Sequence, residues 1–90
     1  MSRYLVERTF TDGLAVSADE DGAQALRDVI EGNAEHGVTW VHSYVTPDRT
    51  TTYCVYDAAS PEAIRVAAQA TGLPIDRITE VRVLDPYFFH

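Results

Sequence analysis

Alternating or β-former-rich runs occur at four places along the chain, and apolar positions recur at three- and four-residue spacing at two others, which predicts strands and helices respectively. Arg3-Tyr4-Leu5-Val6-Glu7-Arg8-Thr9-Phe10 is rich in β-formers and ends at the turn signal Thr11-Asp12-Gly13, so it reads as a first strand. Ser17 stands three residues before Glu20, where a hydroxyl caps a backbone N–H and the carboxylate reaches back. A helix over about residues 18–36 follows, with Leu26, Val29, Ile30 and Ala34 as its apolar face and Gly37 as a left-handed stop. Val38–Val45 and Thr50–Tyr56 are β-branched and aromatic runs joined through Thr46-Pro47-Asp48-Arg49, a hairpin. Ser60-Pro61-Glu62 opens a second helix lined by Ile64, Ala67, Ala68 and Thr71 and closed by Gly72. Ile78-Thr79-Glu80-Val81-Arg82-Val83-Leu84 alternates as a last strand before Asp85-Pro86.

The order strand, helix, strand, strand, helix, strand is a split βαβ pattern. It predicts an α+β fold, a ferredoxin-like βαββαβ sandwich with both helices on one face of a four-stranded antiparallel sheet. Ninety residues fill one such domain and leave no room for a second.

One sheet face is then uncovered, and period two sorts its residues. Taking Val41, Val45, Val81 and Val83 as the helix-covered set sends Trp40, His42, Tyr44, Glu80 and Arg82 to the open face. Strand one is expected to add Glu7, with Tyr4 and Val6 in the core. A face bearing Trp and Tyr, with Tyr87-Phe88-Phe89 needing cover as well, favours self-association, and a twofold homodimer is expected.

Charge narrows the partners. Fourteen carboxylates oppose seven basic residues, all of them Arg, for a formal net charge of −7. Nucleic acid and anionic membrane surfaces call for basic clusters that are absent here, whereas a metal ion suits the field. No run reaches the roughly 20 apolar residues of a membrane span, and the first residues lack a signal peptide's apolar segment, so a cytoplasmic protein is expected.

Within the open face, His42 near Glu7 and Glu80 makes one imidazole with two carboxylates, donors that suit nickel, zinc or copper. The bland alternatives are a hydrogen-bonding strand histidine and acids paired with Arg8 or Arg82. Cys54 depends on the hairpin: an even loop opposes His42 with Tyr53 or Val55 and leaves Cys54 in the core, while an odd loop brings Cys54 to His42. The even loop is expected. His36 closes the first helix, where a cation suits the dipole, and Asp28, Glu31 and Glu35 form a solvated acidic edge. His90, at the end of the sequence, is read as a mobile residue or an occasional extra ligand. Phosphate-loop, nucleophile-elbow and HExxH signatures are missing, and Ser43 points away from its neighbour His42, so no catalytic residue is assigned.

The segments Arg3–Phe10, Trp40–Val45, Tyr53–Ala58 and Ile78–Pro86 together resemble a small bacterial family once catalogued as a domain of unknown function and described as nickel-binding. The resemblance covers roughly residues 3–87 and implies a ferredoxin-like homodimer that binds Ni(II), for metal buffering or delivery. Carried over residue by residue, it implies metal ligands among Glu7, His42, Glu80, Tyr44 and Asp85. Two other readings stand beside it. One is a small cofactor-independent enzyme like the dimeric ferredoxin-like monooxygenases, with Trp40, Tyr44, Tyr53 and His42 lining an enclosed cavity. The other is a dimerisation module with no ligand at all.

Overall fold

A computed structural model describes residues 1–14 and 20–87. Its elements are β1 (Ser2–Thr9), α1 (Glu20–Glu35), β2 (Thr39–Val45), β3 (Thr51–Ala58), α2 (Pro61–Thr71) and β4 (Arg77–Val81). All six expected elements are present in the expected order. The Ser17 cap and Phe88, Phe89 and His90 lie outside the described residues.

The strands run antiparallel in the order β2-β3-β1-β4, the ferredoxin-like arrangement in which each βαβ half contributes one central and one edge strand. Tyr4, Val6, Cys54, Tyr56 and Ala58 line one face of the two central strands and join Val38, Ile64 and Ala67 in the core. Helix α2 dominates that packing, because Ile64, Ala67 and Ala68 all face inward from one stripe. Its ends are well defined. Ser60 Oγ accepts from the Ala63 N–H at 3.3 Å, and Gly72 takes φ 72°, letting its N–H reach the Ala68 carbonyl.

Helix α1 departs from expectation. Leu26 is 38% and Ile30 48% exposed, and Ala34 is exposed too, so the apolar stripe read from spacing is not the buried one. Gly22 and Asn33 are buried instead, with Val29 and Gly32 half-buried. A close helix crossing explains the shift: a Cβ on Gly32 would lie 2.9 Å from Thr71 Cγ2, so α1 approaches α2 along its small residues. The helix ends where expected, with Gly37 at φ 71°.

Two strand assignments are corrected. In β2, Trp40 opposes Tyr56 and His42 opposes Val55, so Val41 is an extra residue in a β-bulge. The bulge puts Trp40 on the helix-covered side, against the core, where its Nε1 donates to Ser43 Oγ at 2.8 Å. Trp40 therefore does not share the open face with His42. Val41 and Val45, expected to be covered by the helices, are 39% and 52% exposed. In β4, Tyr4 opposes Glu80 and Val6 opposes Ile78, which turns Glu80 toward the helix-covered side and Val81 toward the open one. Ile78 and Val81 are three residues apart and cannot share a face; Ile78 packs on the core and sets the parity. The strand also ends at Val81, so Arg82 and Val83 lie beyond it.

Candidate metal-binding face

The register writes the open face as a grid, since residues directly opposite on neighbouring strands form rows. The middle row, read from β4 to β2, is Thr79, Leu5, Val55 and His42. Above it lie Arg77, Glu7, Tyr53 and Tyr44, and below it Val81, Arg3, Asp57 and Thr39. The expected even hairpin register holds, with His42 opposite Val55, and Cys54 is a core residue 7% exposed. Glu7 points outward and Tyr4 and Val6 inward, as expected.

His42 is exposed on edge strand β2, with its ring edge-on to Tyr44 at 5.1 Å between centroids and 83° between planes. Tyr44 is 62% exposed. These two side chains are thus available to a ligand at the rim of the open face. Glu7 lies two strands away, about 10 Å across the sheet, and is engaged by Arg77 Nε at 3.6 Å. Arg77 was not among the expected partners of Glu7; the signal was its place at the start of β4, which only the true strand boundary reveals.

Glu80 cannot join them within one chain. It sits on the opposite edge strand, three strand spacings or about 14 Å away, and on the other face. Asp85 follows β4, and its Oδ1 accepts the Tyr87 N–H at 2.9 Å. Among the described residues, no three of His, Cys, Asp and Glu converge as a metal site would need. The expected trio of His42, Glu7 and Glu80 is therefore not assembled by a single copy. His36 is half-buried just past α1, and its backbone N–H donates to the Asn33 carbonyl at 3.1 Å.

The lower row carries its own electrostatics. Arg3 Nε and Nη2 donate to the two oxygens of Asp57 at 2.9 and 3.2 Å, a bidentate pair. The hydrogen bond from Arg3 holds the Asp57 carboxyl below the usual carboxylate range. A cleft of about 780 Å³ opens beside this pair, with Met1, Glu80, Val81 and Arg82 in its walls. It is an open groove containing an ion pair, unlike the enclosed apolar chamber of the monooxygenase reading.

Sequence reasoning missed Arg8. It lies on the helix-covered side of β1 and is 3% exposed, with Nη1 donating to the Pro74 carbonyl at 2.6 Å and Nη2 to the Tyr56 hydroxyl at 3.2 Å. Its guanidinium also lies 5.8 Å from the Tyr56 ring centroid. Burial pushes the Tyr56 hydroxyl pKa up, against the opposing pull of Arg8. The alternation of Tyr4, Val6 and Arg8 along β1 is the signal that places it there.

Among the described residues no helix is long and apolar enough to cross a membrane. No curated protein matches the chain. The crystal structure of SCO4226 from Streptomyces coelicolor A3(2) is similar at a TM-score of 0.71 and 19% identity, covering 93% of this chain and 100% of that one, which supports the ferredoxin-like fold. The family model described as nickel responsive protein SCO4226-like matches residues 4–81, a span that includes β2, β3 and β4 whole and β1 from Tyr4 onward. The chain belongs to the nickel-responsive SCO4226-like family.

Proposed function

We propose that this protein is a homodimeric nickel-binding protein that buffers or delivers the metal. The observation that carries the reading is His42, an exposed imidazole on the uncovered sheet face beside the phenol of Tyr44. Imidazole is a borderline donor suited to Ni(II), and carboxylate, phenol and water oxygens complete octahedral shells around such ions. The family's nickel-responsive description supports the choice of metal, and the net charge of −7 raises the local concentration of any divalent cation.

The open face supports the dimer. Leu5 and Val55 make an apolar centre, Tyr44 and Tyr53 extend it, and charges of both signs from Arg3, Asp57, Glu7 and Arg77 surround it. Such a surface is complementary to a second copy of itself. Glu7 shares its row with Tyr44 on the open face, whereas Glu80 turns to the helix-covered side and Asp85 follows the end of β4.

Calorimetric titration of tag-free protein with Ni(II) tests the reading. Saturable binding in the wild type that is lost in His42→Ala is the expected result. Wild-type heats no larger than dilution would end the nickel assignment, and undiminished binding in His42→Ala would remove His42 from the site.

A further inference from the structure

The two edges of the sheet are guarded unequally. β4 is five residues long and carries Arg77 and Glu80, and both shortness and charge discourage a further strand from pairing. β2, on the other edge, is seven residues, Thr39-Trp40-Val41-His42-Ser43-Tyr44-Val45, with no Asp, Glu, Lys, Arg or Pro. The bulge at Val41 disturbs pairing near its start, and from His42 to Val45 the strand is regular. Its outer N–H and C=O groups face no neighbouring strand among the described residues.

Above this edge the surface is apolar. Val45 opposes the buried Thr52, so it points to the helix side, yet it stays exposed. Helix α1 packs on α2 and β2, and it meets α2 through Gly32. At about 100° per residue, Leu26 and Ile30 project from the side of α1 away from Gly32, above the β2 edge, and both are exposed. Leu26, Ile30 and Val45 thus line the corner between α1 and an unguarded strand edge. A strand added to that edge fills the corner with every second side chain.

Charge selects the occupant. Beyond its apolar side, α1 presents Asp28, Glu31 and Glu35 against one base, Arg27, and the whole chain carries a formal net charge of −7 with no lysine. Such a field attracts a cationic segment and disfavours an acidic one. On the other side of the strand the Tyr44 ring is exposed, a surface that suits a Lys or Arg side chain.

We propose that the outer edge of β2 takes up an extended, cationic segment of a partner protein as an added strand. Its apolar side chains lie against Leu26, Ile30 and Val45, and its Lys or Arg side chains lie beside Tyr44. This goes beyond the nickel reading and does not rest on it.

A short synthetic peptide alternating valine with lysine, and its counterpart alternating valine with glutamate, test the proposal on tag-free protein in chelator. Fluorescence anisotropy is expected to show the lysine peptide binding and the glutamate peptide not. Ile30→Asn and Val45→Asn should each weaken that binding about tenfold, the loss of one buried aliphatic contact. Val66→Asn, at an exposed position on α2, should leave it unchanged. Hydrogen exchange followed by NMR reads the mode: amide protons between His42 and Val45 should slow when the lysine peptide is added. Binding indifferent to the Ile30 and Val45 changes, equal binding of the glutamate peptide, or no binding of either at millimolar concentration would overturn the proposal. Protection of the same amides that grows with protein concentration alone would overturn it too, by giving the edge to a second copy.

Discussion

Single side chains here are constrained in ways that exposure alone does not reveal. Arg8 ties the β1 end to the loop after α2 through the Pro74 carbonyl and braces the Tyr56 hydroxyl, both from a buried position. Arg8→Ala should lower stability by about 2–3 kcal/mol, combining a lost charge-assisted hydrogen bond with lost packing of the aliphatic stem. Arg8→Lys should recover little of that, since an ammonium cannot serve both acceptors and lie against the ring; urea denaturation measures both. Gly32→Ala is expected to destabilise by about 1–2 kcal/mol despite the better helix propensity of alanine, because the new methyl meets Thr71 Cγ2. Thr71 cannot readily turn away, as its Oγ1 donates to the Ala67 carbonyl at 3.0 Å. Trimming that methyl in Gly32→Ala with Thr71→Ser should restore the melting temperature, and a double mutant as unstable as the single one would refute the contact. Asp57 and Asp48 titrate below the usual range, Asp57 through its hydrogen bond with Arg3 and Asp48 through the Thr46 hydroxyl and the Thr50 N–H. Depressed folded-state carboxylates contribute stability above their unfolded pKa, near 3.9, and lose it as pH falls through the lower folded value. Chemical denaturation from neutral pH down through pH 4 should therefore show a loss of stability that is smaller in Asp57→Asn than in the wild type.

Elements were legible in the sequence to the extent that local chemistry alone decided them. The Ser60 cap, Pro61 and Gly72 define α2 through contacts within a few residues, and the structure reproduces each. The even hairpin register was likewise readable, because a turn around Pro47 and Asp48 fixes which residues oppose. Faces were less legible. The bulge at Val41 adds one residue and flips every inference drawn upstream of it, which is how a tryptophan taken for surface proves to be core. The parity of β4 hinges on Ile78 and not on the valines, a matter of which strand position meets Val6. The stripe of α1 was misjudged because a crossing through Gly32 and Thr71 rotates the helix on small residues, leaving Leu26 and Ile30 outward. The two helices should thus respond unequally to truncation. Ile64→Ala, at a site 1% exposed, should cost about 2–5 kcal/mol, while Ile30→Ala, at 48% exposure, should cost less than about 1 kcal/mol. Equal losses in thermal or urea denaturation would mean that α1 is packed more tightly than its exposure indicates.

For the whole molecule, the fold explains why one copy does not bring the expected ligands together. A split βαβ sandwich places both helices on one side, so the other side of the sheet keeps an apolar centre of Leu5 and Val55, a rim bearing His42 and Tyr44, and charged pairs of both signs. The candidate ligands read from the sequence assumed a convergence that the topology of one copy does not provide, since β2 and β4 are opposite edges. The proposed function therefore joins two properties that one experiment can read together. Native mass spectrometry of tag-free protein with added nickel tests it most directly, because it reports metal and subunit count for each particle at once. The account predicts two-chain particles that carry nickel. Particles that stay metal-free, or single chains alone, would contradict it.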